Sequence, residues 1–304
     1  MTRNLRWDRT AHGGPVKPPT FDYVRPASVA EAIDALAAHP DSKVLAGGQS
    51  LIPMMNMRLA RPTALVDIGR LDELAGIEAN GSLRVGATAR QSTVLENEQV
   101  GRRWPLITAA LVHVGHPATR ARGTFGGSIA HGEPASELPA VMLACDARFL
   151  LRGGSGEREV AADDFFVGHY TTVLADDELL VQVEVPDPAG SAWGFGEIVR
   201  RHGDYALAGA AVRLAVDGDG TVEEARVALF GVSGRPIRAT AAEEHLLGTR
   251  LGDERAAAEA GRAALSGTEV TDDSFVSATY RHDAAAAVVE RALLEAALRR
   301  RGTN

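Results

Sequence analysis

Two short glycine-rich stretches carry residue types that can hold a phosphate without a charged side chain. The first is Leu45-Ala46-Gly47-Gly48-Gln49-Ser50-Leu51, directly after an apolar run that predicts a strand. Paired glycines let the chain turn tightly and present successive N–H groups to an anion, with no side chain blocking its approach. Gln49 and Ser50 add neutral donors. In a dry setting this loop stabilises a diphosphate with no lysine nearby. The second stretch, Arg122-Gly123-Thr124-Phe125-Gly126-Gly127-Ser128-Ile129-Ala130-His131-Gly132-Glu133-Pro134, repeats the arrangement with hydroxyls at Thr124 and Ser128. One Gly-Gly turn alone is more often structural than functional. Two in one chain can grip a long dinucleotide from two sides.

Other chemistries lack their signatures. No G-x-G-x-x-G opens a βαβ unit, no G-x-x-x-x-G-K-[ST] occurs, and H-E-x-x-H and C-x-x-C spacings are absent. Cys145 is the only cysteine and sits in the apolar run Val141-Met142-Leu143-Ala144, so it reads as a small buried hydrophobe. One cysteine makes no internal disulfide and holds no iron–sulfur cluster. His113, His116, His131 and His202 have no diagnostic partner spacing and read as packing, hydrogen-bonding or cofactor-perimeter residues. Asp163 and Asp164 read as a solvated turn or helix start.

The 304 residues suffice for two domains or one domain with clear subdomains. Hydrophobic residues make up 45% and charged residues 24%, the balance of a globular chain. Forty acidic against 32 basic residues give a net charge of -8, which supplies no general field for nucleic acid or an anionic membrane. No secretory signal and no membrane-length apolar run is visible, so the expected location is cytoplasmic.

The elements that must position the two loops follow from the hydrophobic pattern. Residues 1–20, rich in Gly, Pro and charge, read as an N-terminal extension without a core. Ser28 caps a helix that places Val29, Ile33 and Leu36 on one face, with Glu31 three residues after the cap. Lys43 to Ala46 and Ala64 to Ile68 read as strands, making residues 21–75 one α+β unit. Ser82 to Ala87 alternates as a half-buried strand, and Thr88 or Ser92 begins a helix. Helices are expected around 106–112 and 138–143, with strands at 147–152 and 179–185. Pro186-Asp187-Pro188-Ala189-Gly190 marks the break between residues 76–187 and the C-terminal part, 188–304. Beyond it, Ala206 to Val216 and Val222 to Phe230 read as paired strands around Gly218-Asp219-Gly220. Helices are expected at 239–247, 254–265 and 284–300, the last ending in Arg299-Arg300-Arg301, where cations suit the helix dipole.

The order of these segments resembles the flavoprotein, or medium, subunit of the molybdenum hydroxylases, in the style of the carbon monoxide dehydrogenase branch. The resemblance rests on Phe21-Asp22-Tyr23-Val24-Arg25-Pro26, Ala46 to Pro53, Leu65-Val66-Asp67-Ile68, Arg122 to Ser128, Ala135-Ser136-Glu137-Leu138-Pro139, Arg200 to Ala206 and Tyr280-Arg281. It implies an α+β protein: a vanillyl-alcohol-oxidase, or PCMH-type, FAD-binding fold of two subdomains (21–75 and 76–187), then a smaller α+β domain. It implies noncovalent FAD, with residues 46–51 on one side of the pyrophosphate and Thr124, Gly126, Gly127 and Ser128 on the other. Glu137 matches an acidic position near the ribose or phosphate network, Leu180 one near the flavin or adenine pocket, and the stretch from Trp193 to Asp204 one near the ring edge. Ala121 departs from the pattern, standing where asparagine is common, and Ser128 matches the carbon monoxide dehydrogenase branch.

The resemblance further implies an electron relay. A large subunit with molybdenum cofactor oxidises the substrate. A small subunit with two [2Fe–2S] clusters passes electrons to the FAD of this chain, which hands them to an external acceptor such as a quinone, NAD or oxygen. The expected assembly is a heterohexamer, (αβγ)2. Two other readings stay open at this point: a free-standing FAD-dependent oxidoreductase and a non-enzymatic assembly scaffold.

Overall fold

The computed structural model describes residues 17–301. The reading of the N-terminal extension lies, for residues 1–16, outside the described residues.

The first glycine loop sits in a small parallel sheet. Its elements are β1 (Asp22–Val24), α1 (Val29–Ala38), β2 (Lys43–Leu45), α2 (Leu51–Asn56) and β3 (Ala64–Asp67), with strand order β1-β3-β2. Ser28 Oγ accepts the Glu31 N–H at 3.1 Å and Glu31 reaches back to the Ala27 N–H at 2.8 Å, a variant of the capping box that fixes where α1 begins. Val29, Ile33 and Leu36 are buried on its inner face, as their spacing predicts. β2 ends at Leu45 and α2 starts at Leu51, which leaves the Gly47-Gly48 loop between them at the sheet's carboxyl edge.

The second loop belongs to an antiparallel sheet covered by helices. In chain order come β4 (Ile77–Asn80), β5 (Ser82–Gly86), α3 (Gln91–Glu96), α4 (Glu98–Arg103), α5 (Pro105–Leu111), α6 (Pro117–Arg120), α7 (Phe125–His131) and α8 (Glu137–Ala144). Then follow β6 (Arg148–Gly153), β7 (Gly156–Ala161), α9 (Ala162–Phe165), the short hairpin β8 (Phe166–Gly168) and β9 (Thr171–Thr172), and β10 (Leu179–Val185). The sheet order is β4-β5-β10-β6-β7. Neither Thr88 nor Ser92 opens a helix. Thr88 is buried, its hydroxyl turned to the Leu71 carbonyl, and α3 starts only at Gln91 because residues 87–90 are pinned elsewhere.

β10 holds the two sheets together through an irregularity. Leu179 and Val181 pack into the core under the first sheet, whereas Leu180, Val183 and Val185 pack into the core of the second. Simple alternation would put Leu180 with positions 182 and 184. The register shift between Leu180 and Gln182 reverses the parity, so one strand serves two cores. It also frees the Val181 carbonyl to accept the Ala87 N–H at 3.0 Å.

The third sheet comprises β11 (Ala192–Ile198), β12 (Ala208–Val216), β13 (Val222–Phe230) and β14 (Ile237–Arg238), paired antiparallel in sequence order. Over it lie α10 (Thr240–Leu246), α11 (Glu254–Ala263) and the long α12 (Ala278–Arg301). Alanine and glycine let these helices approach closely: a Cβ on Gly194 would stand 1.9 Å from the Ala292 carbonyl oxygen. The segment between β10 and β11 is bolted down, Trp104 Nε1–H donating to the Pro186 carbonyl at 2.8 Å and Arg103 pairing with Asp187.

Candidate cofactor cleft

The two glycine loops meet. A Cβ on Gly47 would lie 2.5 Å from the Arg122 carbonyl oxygen and 2.8 Å from Gly123 Cα, so this approach admits no side chain. Gly48 has φ +71°, in the left-handed region that glycine occupies without strain. Gln49 folds its side-chain amide back onto the Gly47 carbonyl at 3.2 Å. Below the loop, a Cβ on Gly69 would lie 2.8 Å from the Ala46 carbonyl, and Ile68 N–H donates to Leu45.

The second stretch differs from its predicted form. Gly126 and Gly127 do not make an open turn; they form the first turn of α7. Thr124 is the N-cap, its Oγ1 accepting the Gly127 N–H at 3.1 Å. Glycine is poor in a helix, but here it is sterically required, since a Cβ on Gly126 would stand 2.5 Å from Ala87 Cα. Phe125 N–H donates to Ala89 and Gly126 N–H to Ala87, which ties α7 to the end of β5 and hence to the β10 bulge.

Both loops line one cleft of about 800 Å³, together with α8, the β8–β9 hairpin and the start of β10. Ala46, Gly47, Gly48, Gln49, Ser50 and Leu51 line it on one side; Thr124, Gly126, Gly127, Ser128, Glu137 and Leu180 line it on the other. Leu45 does not. It ends β2 behind the loop, its side chain 3.3 Å from where a Gly48 Cβ would be. Of the stretch 193–204, Gly203 and Asp204 reach the cleft, joined by Tyr205, whereas Trp193 is turned away beneath the Arg299 guanidinium at 3.8 Å. Phe195 stacks on Phe230 in the core.

Few cations face this space. Carboxylates at Glu133, Glu137, Asp176, Glu178 and Asp204 line it, with Lys43, His116 and His131. An anion here must be held chiefly by backbone N–H groups, hydroxyls and helix starts, the arrangement the glycine loops provide. Burial pushes the Glu137 carboxyl up to about 7, against the pull of its own backbone amide at the helix start, and the Glu197 charge pushes the same way as burial. Burial lowers the His131 imidazole, opposed by Glu133. Burial raises the Tyr205 phenol. Cys145 is buried, and desolvation pushes its thiol up to about 12, which keeps it inert. Among the described residues no group of histidine, cysteine or carboxylate side chains is arranged to hold a metal.

Comparison with known families fits this geometry. Residues 19–188 match the model described as the FAD binding domain in molybdopterin dehydrogenase, and residues 193–296 match the CO dehydrogenase flavoprotein C-terminal domain. The chain belongs to the FAD-binding medium subunits of this molybdopterin and carbon monoxide dehydrogenase family. It is therefore an α+β FAD-binding domain of the vanillyl-alcohol-oxidase, or PCMH, type followed by a smaller α+β domain. It is 41% identical over 288 residues to the nicotine 6-hydroxylase medium subunit of Paenarthrobacter nicotinovorans, covering 93% of this chain and 100% of that one. The structure of carbon monoxide dehydrogenase from Hydrogenophaga pseudoflava aligns with TM-score 0.88 and 41% identity over 93% of this chain and 99% of that one. Quinoline 2-oxidoreductase from Pseudomonas putida 86 gives TM-score 0.88 and 40% identity with the same coverage.

The residues fit the family's cofactor. The volume lies within the range of about 300 to 1,000 Å³ usual for ligand pockets, and the glycine cradle leaves bare backbone where a Cβ would intrude. The sequence did not single out several residues that shape this site. Arg90 donates through Nη1 to the Arg122 carbonyl and through Nη2 to Gly69 at 3.3 Å, stapling the second loop to the floor of the first. Tyr170, at φ +50° in the β8–β9 hairpin, packs at a tilt against His131 with ring centroids 4.8 Å apart at the cleft wall. No local motif announces either one. The positive φ of a tyrosine and the long-range reach of an arginine emerge only from packing.

Proposed function

We propose that this chain is the FAD-carrying electron-transfer subunit of a molybdenum hydroxylase. It receives electrons from an iron–sulfur subunit with two [2Fe–2S] clusters and passes them to an external acceptor, while a large molybdenum-cofactor subunit performs the substrate chemistry. The observation that carries the reading is the convergence of the two glycine loops on one cleft. FAD bound there supplies the reversible electron carrier that the polypeptide lacks. Gly47, Gly48 and Ser50 offer backbone and hydroxyl donors to one face of the diphosphate; the Thr124 and Ser128 hydroxyls offer theirs to the other, with Gly127 leaving room for close approach. Glu137 and Leu180 border the remainder, the first polar and the second excluding water.

Substrate choice belongs elsewhere in this scheme. The names of three similar proteins specify nicotine, carbon monoxide and quinoline as their substrates, at comparable likeness to this chain. The described residues also offer no charged clamp with a paired base around the cleft that would mark a substrate site. We assign the complex two copies each of three subunits and a cytoplasmic location; no helix among the described residues is long and apolar enough to cross a membrane. The test is to purify the chain alone and record its visible spectrum. Flavin bands without turnover of small donors, and activity only after adding iron–sulfur and molybdenum subunits, support the relay. Robust oxidation of a small substrate by the isolated chain would replace it with a free-standing oxidoreductase.

A further inference from the structure

At the cleft wall and behind it stand three titratable side chains whose charges act on one another. Glu137 stands in the first turn of α8, is 6% exposed and lines the cleft. Glu197 on β11 has a side chain only 5% exposed; its Oε1 lies 2.9 Å from His113 Nδ1, just beyond α5. Glu197 Oε2 is buried and has no hydrogen-bond partner. A buried carboxylate with an unmet oxygen is costly, and two carboxylates in one dry region cost more. Proton uptake at Glu137 relieves the second of these costs.

We propose that Glu137, Glu197 and His113 form a proton-holding cluster opening into the cleft at Glu137, and that this chain takes up a proton from solvent when anionic FAD enters. The inference rests on the reading that FAD occupies this cleft. His113 has its proton affinity raised by the hydrogen bond to Glu197, against the opposing effect of burial, so a proton is favoured on this imidazole and, where held, offsets one carboxylate. Glu137 is left as the second, titrating near neutrality. A diphosphate placed in the same cleft adds negative potential and drives Glu137 toward its neutral form.

Arg291 of α12 meets Glu197 at its backbone carbonyl, at 3.3 Å and in an exposed position, and the His202 ring lies edge-on to His113 with centroids 6.5 Å apart. Glu295 on α12 faces His113 and strengthens its hold on a proton. Arg213 of β12, Arg226 of β13 and Arg238 of β14 all meet Asp146 at the opposite end of α8, and Asp163 of α9 pairs with Arg238 there. Within α7 and its following turn, His131 and Glu133 line the same cleft. His131 has its proton affinity lowered by burial and contributes no fixed positive charge.

The experiment is calorimetric titration of the full-length, FAD-free chain with FAD. At each pH it is done in two buffers of different ionisation enthalpy: PIPES and imidazole near pH 7, HEPES and Tris near pH 8. FAD has no group of its own that titrates in this window. The expected result is uptake of about half a proton near pH 7, rising toward one near pH 8, with affinity falling up to about tenfold between about pH 6 and 8. Glu137→Gln abolishes the uptake and raises affinity near pH 8 to the level the unmodified chain shows near pH 6. Glu197→Gln, which removes the neighbouring charge without touching the cleft lining, moves the midpoint of uptake to lower pH. Tight binding with equal heats in both buffers overturns this inference alone. Absence of FAD binding at every pH sinks the cofactor reading and this inference with it.

Discussion

The backbone of Gly47 lies against the carbonyl of Arg122, so close that a methyl group on Gly47 would stand 2.5 Å from that oxygen. Two loops far apart in sequence are thereby held edge to edge, and the bare backbone of each becomes one wall of the same cleft. The contact is locked from below by Arg90, which grips both Arg122 and Gly69.

Gly47→Ala and Gly126→Ala must therefore push the loops apart or distort the end of β5. Each is expected to cost about 1–3 kcal/mol of stability, the usual penalty of overpacking, and to weaken FAD retention by about tenfold or more, which corresponds to about 1.4 kcal/mol or more of binding energy. Gly101, in α4, is the control because nothing lies within 4 Å of its would-be Cβ. Gly101→Ala is expected to gain roughly 0.5–1 kcal/mol from helix propensity and to leave FAD binding unchanged. Denaturant melts and flavin absorbance titrations read both effects, and equal behaviour of Gly47→Ala and Gly101→Ala would remove the argument for close approach.

Thr124 acts through its hydroxyl. It is buried, and its Oγ1 accepts the Gly127 N–H that starts α7. Thr124→Val keeps the shape and loses the cap, with an expected cost of about 1 kcal/mol, whereas Thr124→Ser retains most of the stability. The same order, serine above valine, is expected for FAD affinity. Valine equal to threonine in both assays would show that the cap does not organise the loop.

Much of this was legible in the residues, for identifiable reasons. The Ser28 cap, the Gly47-Gly48 turn after a short strand and the apolar run at 179–185 are local signals, and local signals survive without tertiary context. The β10 bulge is not local: it is needed only because Leu179 and Leu180 must face different cores. Gly126-Gly127 looks like Gly47-Gly48 in sequence, yet one pair is helical and the other a left-handed turn, the difference being set by Thr124 as a cap and Ala87 as a neighbour. Leu45 adjoins the loop in sequence yet does not line the cleft. Pairings such as His113 with Glu197 join residues whose separation in the chain gives no periodic signal.

Asp146 ties the second sheet to the third. It follows α8 at φ +52°, accepts hydrogen bonds from Arg213 and from Arg226 at 2.9 Å, and lies 3.5 Å from Arg238. Its side chain is about a third exposed, so solvent screens part of the attraction. Asp146→Asn keeps a residue that tolerates the left-handed region and removes the charge. The expected loss is roughly 1–2 kcal/mol, smaller in high salt. Asp146→Ala adds backbone strain and is expected to lose about 1 kcal/mol more. A salt-independent loss confined to Asp146→Ala, with Asp146→Asn unchanged, would assign the effect to backbone geometry rather than to the arginine cluster.

The pH dependence of stability has a definite sign at Glu137. Its folded carboxyl titrates at about 7 against an ordinary value of 4.5, chiefly through burial. The folded chain therefore binds the proton more tightly than the unfolded one. The stabilisation is fully present below the unfolded value and is lost as pH rises through the folded value. The shift corresponds to roughly 3 kcal/mol. Glu137→Gln, fixed in a neutral form, should gain on the unmodified FAD-free chain steadily between about pH 4.5 and pH 7 and hold a constant advantage above that window. Urea unfolding of both chains across this range measures the difference. An advantage that shrinks with rising pH would mean that Glu137 is held ionised in the folded chain, by its helix start or by His113, and that burial is not the dominant influence on it.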